Sequence, residues 1–175
     1  MSSDSSTIIP LDQGHEILGV FGIGPQSRRY QRWRREDGFR REDFEDVLNE
    51  SDFILNVDWR ELLADAMDTI VSQLHELGIE AYVNLDEEGE RGVFAANGEE
   101  VRIKYSINDE DNFDRVIASI NPLISRKARY RKLRSSEGSD TWSYAILNNE
   151  DWRGLELSAS RSVSLIFLEV GPASL

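Results

Sequence analysis

Residues 58–85 constrain the fold more than any other stretch. Apolar side chains fall at Trp59, Leu62, Leu63, Ala66, Met67, Ile70, Val71, Leu74 and Leu77, the i, i+3, i+4, i+7 spacing that gives a helix one apolar face. Asp58 with Glu61 three residues later has the spacing of a capping box, so the helix is predicted to begin at Asp58. Gly78 supplies the left-handed residue that ends it. Ile79, Ala81, Val83 and Leu85 then alternate with Glu80, Tyr82 and Asn84, which is the period of a strand. A helix feeding directly into a strand has two apolar faces to bury and so needs further strands.

The rest of the chain supplies them. Asn97-Gly98 between two β-prone runs (93–96 and 99–107) predicts a two-residue hairpin, because both residues accept positive φ. In the second run Val101, Ile103, Tyr105 and Ile107 share one face, and Arg102, Lys104 and Ser106 the other. A second helix is predicted over 108–120, capped by Asn108 or Asp109, lined by Phe113, Val116, Ile117 and Ile120, and stopped by Pro122. Residues 126–134 read as a helix tail with a charged edge strand, and 141–147, 152–159 and 163–170 as three more strands. The expected fold is therefore α+β: a two-layer sandwich of a mainly antiparallel sheet and two principal helices, in the order α-β-β-β-α-β-β-β-β over residues 58–175. Residues 1–57 read as an N-terminal arm with a basic and an acidic segment. Within it, 16–23 is expected as a short strand, 42–52 as a short helix and 53–57 as an apolar connector.

Charge is unevenly placed. The net charge is −13, yet residues 28–41 carry +5 and residues 126–134 carry +6, leaving −24 on the remainder. The first segment interleaves Arg28, Arg29, Arg32, Arg34, Arg35, Arg40 and Arg41 with Tyr30, Trp33 and Phe39. The second holds Arg126, Lys127, Arg129, Arg131, Lys132 and Arg134. Arg with aromatic residues suits a protein contact, where they form hot spots, or single-stranded nucleic acid, where they pair phosphates and stack on bases. It also suits a surface helix anchored by Tyr30 and Trp33 with solvated arginines.

No catalytic signature accompanies these segments. There is no cysteine, which excludes disulfides, thiolate metal sites and a Cys nucleophile. The two histidines, His15 and His75, have no evident partner, and no zinc-protease, nucleophile-elbow or phosphate-loop motif occurs. The acidic turn 86–92 shares only its acidity with a calcium loop. No apolar run approaches the ~20 residues of a membrane span, and residues 1–7 lack the basic and apolar regions of a signal peptide. No cofactor, metal or membrane partner is expected, and the location expected is cytoplasmic or within an assembled particle.

Three readings follow. The first is a non-enzymatic interaction component, a structural or connector subunit of a larger assembly such as a phage particle, binding other copies of itself or neighbouring subunits. The second is a small acidic inhibitor, immunity protein or secretion chaperone that binds a basic partner. The third is nucleic-acid binding through both basic segments.

Overall fold

The computed structural model describes residues 7–171. Its centre is an antiparallel sheet of β3 (Ile54–Asp58), β8 (Thr141–Asn148), β7 (Ala128–Leu133) and β9 (Phe167–Glu169), in the order β3-β8-β7-β9. The alternation along β8 sends Trp142, Tyr144 and Ile146 to one face and Ala145 and Leu147 to the other. Both sets are apolar because both faces are covered.

One face is covered by α4 (Leu63–Glu76), α5 (Asp114–Ile124) and a second antiparallel sheet, β4 (Ala81–Leu85), β5 (Arg91–Ala96) and β6 (Glu99–Lys104). Met67, Ile70, Leu74, Phe94, Phe113, Ile117 and Tyr144 are fully buried there. The other face carries α1 (Leu11–Val20), α3 (Arg41–Leu48), α6 (Asn149–Ser158) and α7 (Ser160–Ile166). Outside these lie α2 (Arg28–Trp33) and the short pair β1 (Ile8–Ile9) and β2 (Phe39–Arg40). Ile17, Phe39, Phe44, Val47 and Ile166 fill this second core.

The α+β class and the leading α-β-β-β-α-β-β order over residues 58–148 are those read from the sequence. Gly78 is left-handed at φ +72, and Asn97-Gly98 turns with φ +55 and +78, as a two-residue hairpin requires. The differences are specific. Residues 149–166 form α6 and α7 where strands were expected. Trp152, Leu155, Ala159, Val163 and Ile166 are buried, a 3-4-4-3 spacing that fits helices and not a strand. Asn148 caps α6 by accepting from the Asp151 N–H at 2.7 Å.

Residues 11–20 are likewise helical where a strand was expected over 16–23. Gly14, Ile17, Leu18 and Phe21 are the buried stripe. A Cβ at Gly14 would sit 3.2 Å from the Phe39 ring, so this glycine is a contact position in the helix. Residues 54–58, expected as connector and helix start, form β3. Helix α4 begins only at Leu63, leaving Trp59 and Leu62 exposed. The Asp58 N–H donates to the Glu61 carboxylate, but the Asp58 carboxylate accepts from the Arg60 N–H and not from Glu61, so the reciprocal capping box is replaced by a local turn between strand and helix. Helix α5 starts at Asp114 after a 3-10 turn, Ile107–Asp109, and runs two residues past Pro122. A proline one turn from the end leaves only one interior carbonyl without its helical donor.

Two expectations about placement also change. Strand β7 is interior, between β8 and β9, and not a charged edge; Tyr130 and Leu133 are both buried, one on each face. Residues 7–48 pack into the second core, with Ile9, Ile17, Phe39 and Phe44 wholly buried, and the expected boundary at 57/58 falls inside β3, whose Leu55 and Val57 face the first core. Residues 1–6 of the expected arm lie outside the described residues.

A buried relay links the layers. Tyr130 on β7 donates from its hydroxyl to Gln73 Oε1 at 2.7 Å, and Gln73 Nε2 donates to the Asp52 carbonyl at 2.8 Å. Tyr130→Phe leaves Gln73 Oε1 buried without its donor, a cost of about 1–3 kcal/mol. Urea unfolding should show a lower midpoint with an unchanged m value; an unaltered midpoint counts against the relay.

Candidate interaction surface

The first basic segment is built around its aromatic side chains. Ser27 caps α2 by accepting from the Tyr30 N–H at 3.1 Å. Tyr30 points inward, edge-on to Phe39, with its hydroxyl on His15 Nε2. Trp33 is half-buried and donates from Nε1 to Asp46 Oδ2 at 2.7 Å, while Phe39 is completely enclosed. The three aromatics read from the sequence as partner-binding are thus anchors of a short surface helix.

The arginines around them divide in two. Arg29 is held by Asp46, through its carbonyl at 3.0 Å and its carboxylate at 3.5 Å, and by Glu50 at 3.8 Å. Arg41 pairs with Glu42 at 3.0 Å. Arg28, Arg32, Arg34, Arg35 and Arg40 point into solvent, and none is tied to a carboxylate among the described residues. Arg32 lies over the Trp33 ring, 4.7 Å from its centroid.

The second basic segment is mostly committed internally. Because β7 is covered on both faces, alternate cations enter opposite layers. Lys132 is buried and pairs with Asp114 at 3.0 Å, and Asp114 also accepts from the Tyr144 hydroxyl. Arg131 is buried on the other face, 4.3 Å from the Trp152 ring centroid, paired with Glu156 and 3.2 Å from Glu169. The Glu169 contact is an ion pair only, since Arg131 Nε has no aligned hydrogen-bond acceptor. Arg129 pairs with Glu169 at 3.3 Å, Arg134 donates to the Ser164 carbonyl at 3.0 Å and Lys127 to the Gly78 carbonyl at 3.2 Å. Arg126 is exposed. Burial and the Asp114 charge together push the Tyr144 phenol far above its ordinary range, and burial alone does so for Tyr130.

The layer carrying α4 and the three-stranded sheet is the more acidic of the two. Residues 59–112 hold four basic and fourteen acidic side chains, a net −10 of the chain's −13. A groove of about 810 Å³ opens in this layer, between the end of α4 and β4–β5. His75, Glu80, Tyr82, Ala95, Glu100 and Lys127 are among the residues that line it. Nothing in the sequence pattern flagged this groove. Its one available signal was Tyr82, an aromatic on the polar side of the β4 alternation, which is 59% exposed.

Among the described residues no group of three or more His, Asp or Glu side chains is placed to hold a metal ion, and no helix is long and apolar enough to cross a membrane. No protein-family model matches the chain, and neither curated proteins nor solved structures give a match.

One carboxyl on α3 is out of its usual range. Glu45 is 2% exposed; it accepts from the Ser135 N–H at 3.3 Å, and its Oε2 has no partner. Burial raises it above the ordinary carboxyl range, with the Ser135 hydrogen bonds and the Arg41 charge opposing. A carboxyl raised on folding binds its proton more tightly in the folded chain. Its contribution to stability is therefore full at low pH and lost as pH climbs between the unfolded and folded values. Glu45→Gln should melt higher than the parent chain at pH 7.5, with the gap closing towards pH 4. A gap of constant size across that range would show that the buried charge is not its origin.

Proposed function

We propose that the protein is a non-enzymatic interaction component, a structural or connector subunit that assembles with copies of itself by setting its exposed arginine ridge on the acidic layer of a neighbour. The supporting observation is that exposed arginines cluster on one side of the central sheet while most of the net negative charge lies on the other. Arg28, Arg32, Arg34 and Arg35 extend from the α2 side, and the net −10 of residues 59–112 lies on the other. A contact between unlike faces is heterologous, so repetition closes a ring or extends a filament. Charge complementarity over a broad area also steers encounter and orients the partners.

An acidic inhibitor of a basic partner would use the same acidic layer, but it gives the arginine ridge no task. Nucleic-acid binding loses part of its support because Arg131 and Lys132 face inward and are neutralised.

Light scattering on size-exclusion fractions tests the assembly reading. Screening extends over ~30 Å at 0.01 M salt and ~3 Å at 1 M. Association should therefore appear at the lower ionic strength, disappear at the higher, and be abolished by Arg28→Glu with Arg32→Glu. A monomer at both salt concentrations overturns the reading.

A further inference from the structure

We infer that the groove between α4 and β4–β5 is a guanidinium receptor, and that its occupant is an arginine from the α2 ridge of a second copy. This rests on the assembly reading and names the seat of its contact.

The groove has the chemistry that an arginine side chain needs. Ala95 stands between Tyr82 and Glu100 in the strand register, so no large side chain separates the two. Tyr82 stands at the wall, largely exposed, and its ring is steadied by the hydroxyl donating to Glu100 Oε1 at 3.1 Å across the sheet. A guanidinium stacks favourably on such a ring within about 6 Å of its centroid. Glu80 and Glu100 add two carboxylates, the acceptors that match the planar fork of arginine and not the point charge of lysine. The groove's own cation, Lys127, donates to the Gly78 carbonyl and keeps its charge, so the two carboxylates exceed it by one unit. The rim is also fixed: Asn97 donates to the Leu123 carbonyl at 3.0 Å, and the His75 ring nitrogen lies 3.1 Å from the Ala81 carbonyl. Side chains held in place before binding lose less entropy on contact.

The occupant follows from charge and placement. Arg28 and Arg32 are one helical turn apart on α2 and project from the same side. They belong to the opposite layer of the central sheet from the groove, so the two can meet only between molecules. The anchors Tyr30 and Trp33 present these arginines on ordered backbone.

The test uses the full chain, with Kd of association measured by sedimentation at low salt and folding checked by circular dichroism. Tyr82→Ala and the pair Glu80→Gln with Glu100→Gln should each weaken association by about tenfold or more, the scale of a hot spot. Glu87→Gln with Glu88→Gln removes the same charge at the far turn of β4 and should have little effect. Mixing a chain altered in the groove with one altered at Arg28 and Arg32 should give a discrete one-to-one pair, because each supplies the half that the other lacks. If the arginine variants abolish association while the groove variants and the Glu87, Glu88 control behave alike, the receptor is overturned and the assembly reading stands. If groove variants weaken association but arginine variants do not, the groove has another occupant and the inference fails. A wild-type chain that stays monomeric overturns both.

Discussion

Strand β7 is covered on both faces while two of its three cations, Arg131 and Lys132, lie inside, and much of the architecture answers that requirement. With β8 on one side and β9 on the other, neither Arg131 nor Lys132 can turn to an open edge. A charge taken out of water needs a close counter-charge and filled hydrogen bonds. Asp114 at the head of α5 meets Lys132, while Glu156 on α6 and Glu169 on β9 meet Arg131. Each partner comes from a different element, so satisfying one strand fixes where α5, α6 and β9 sit. The Tyr144 hydroxyl on Asp114 and the Trp152 ring on Arg131 complete the two shells. Such pairs specify geometry more surely than they add stability. The cations are buried while their acidic partners reach solvent, so the pairs hold the cations in place and gain little net stability from their attraction.

The same strand explains why the two halves of the chain form one body. Tyr130 and Lys132 look into the layer of α4 and α5, and Arg131 and Leu133 into the layer of α1, α3, α6 and α7. Residues 7–48 and 149–166 contribute the second layer together, one segment before the sheet strands and one between β8 and β9. Gln13 on α1 and Ser162 on α7 hydrogen-bond across that span, and α3 meets the turn after β7 through Glu45 and Ser135. The N-terminal segment is thus structural cover for the sheet, with only the outer side of α2 left for other work.

What could be read from the sequence was decided by how locally each signal is written. The α4 stripe, the glycine at 78, the Asn97-Gly98 turn and the alternation of β8 rest on neighbours within one element, and all four were legible. The misreadings share a cause, namely burial on a face whose cover lies far away in sequence. Residues 163–170 are nearly all apolar because α7 and β9 press into the second core, and continuous apolarity erases the difference between helix and strand periods. Gly14 hides the α1 stripe because its contact with Phe39 is made by lacking a side chain. The charges of 126–134 suggested an exposed edge because their counter-ions, at 114, 156 and 169, lie too far along the chain to be matched by inspection. The candidate surface was legible in part: exposed Arg28, Arg32, Arg34 and Arg35 stand where the composition drew attention. Tyr30, Trp33 and Phe39 serve the core, and the groove around Tyr82 depends on strand register that no local pattern contains.

This division of labour bears on how a partner would be recognised. Cations that sit in the sheet are neutralised by partners chosen within the fold, so they add little to the field outside. Arginines on α2 are different: the helix is pinned by aromatics, Arg29 is tied to Asp46 and Glu50, and Arg28 and Arg32 stay in solvent with no carboxylate partner among the described residues. On the assembly reading, those arginines and the acidic layer beyond the sheet are the two surfaces that meet. The central sheet stands between them in one molecule, so such a contact would join unlike faces of two copies and run in a single direction.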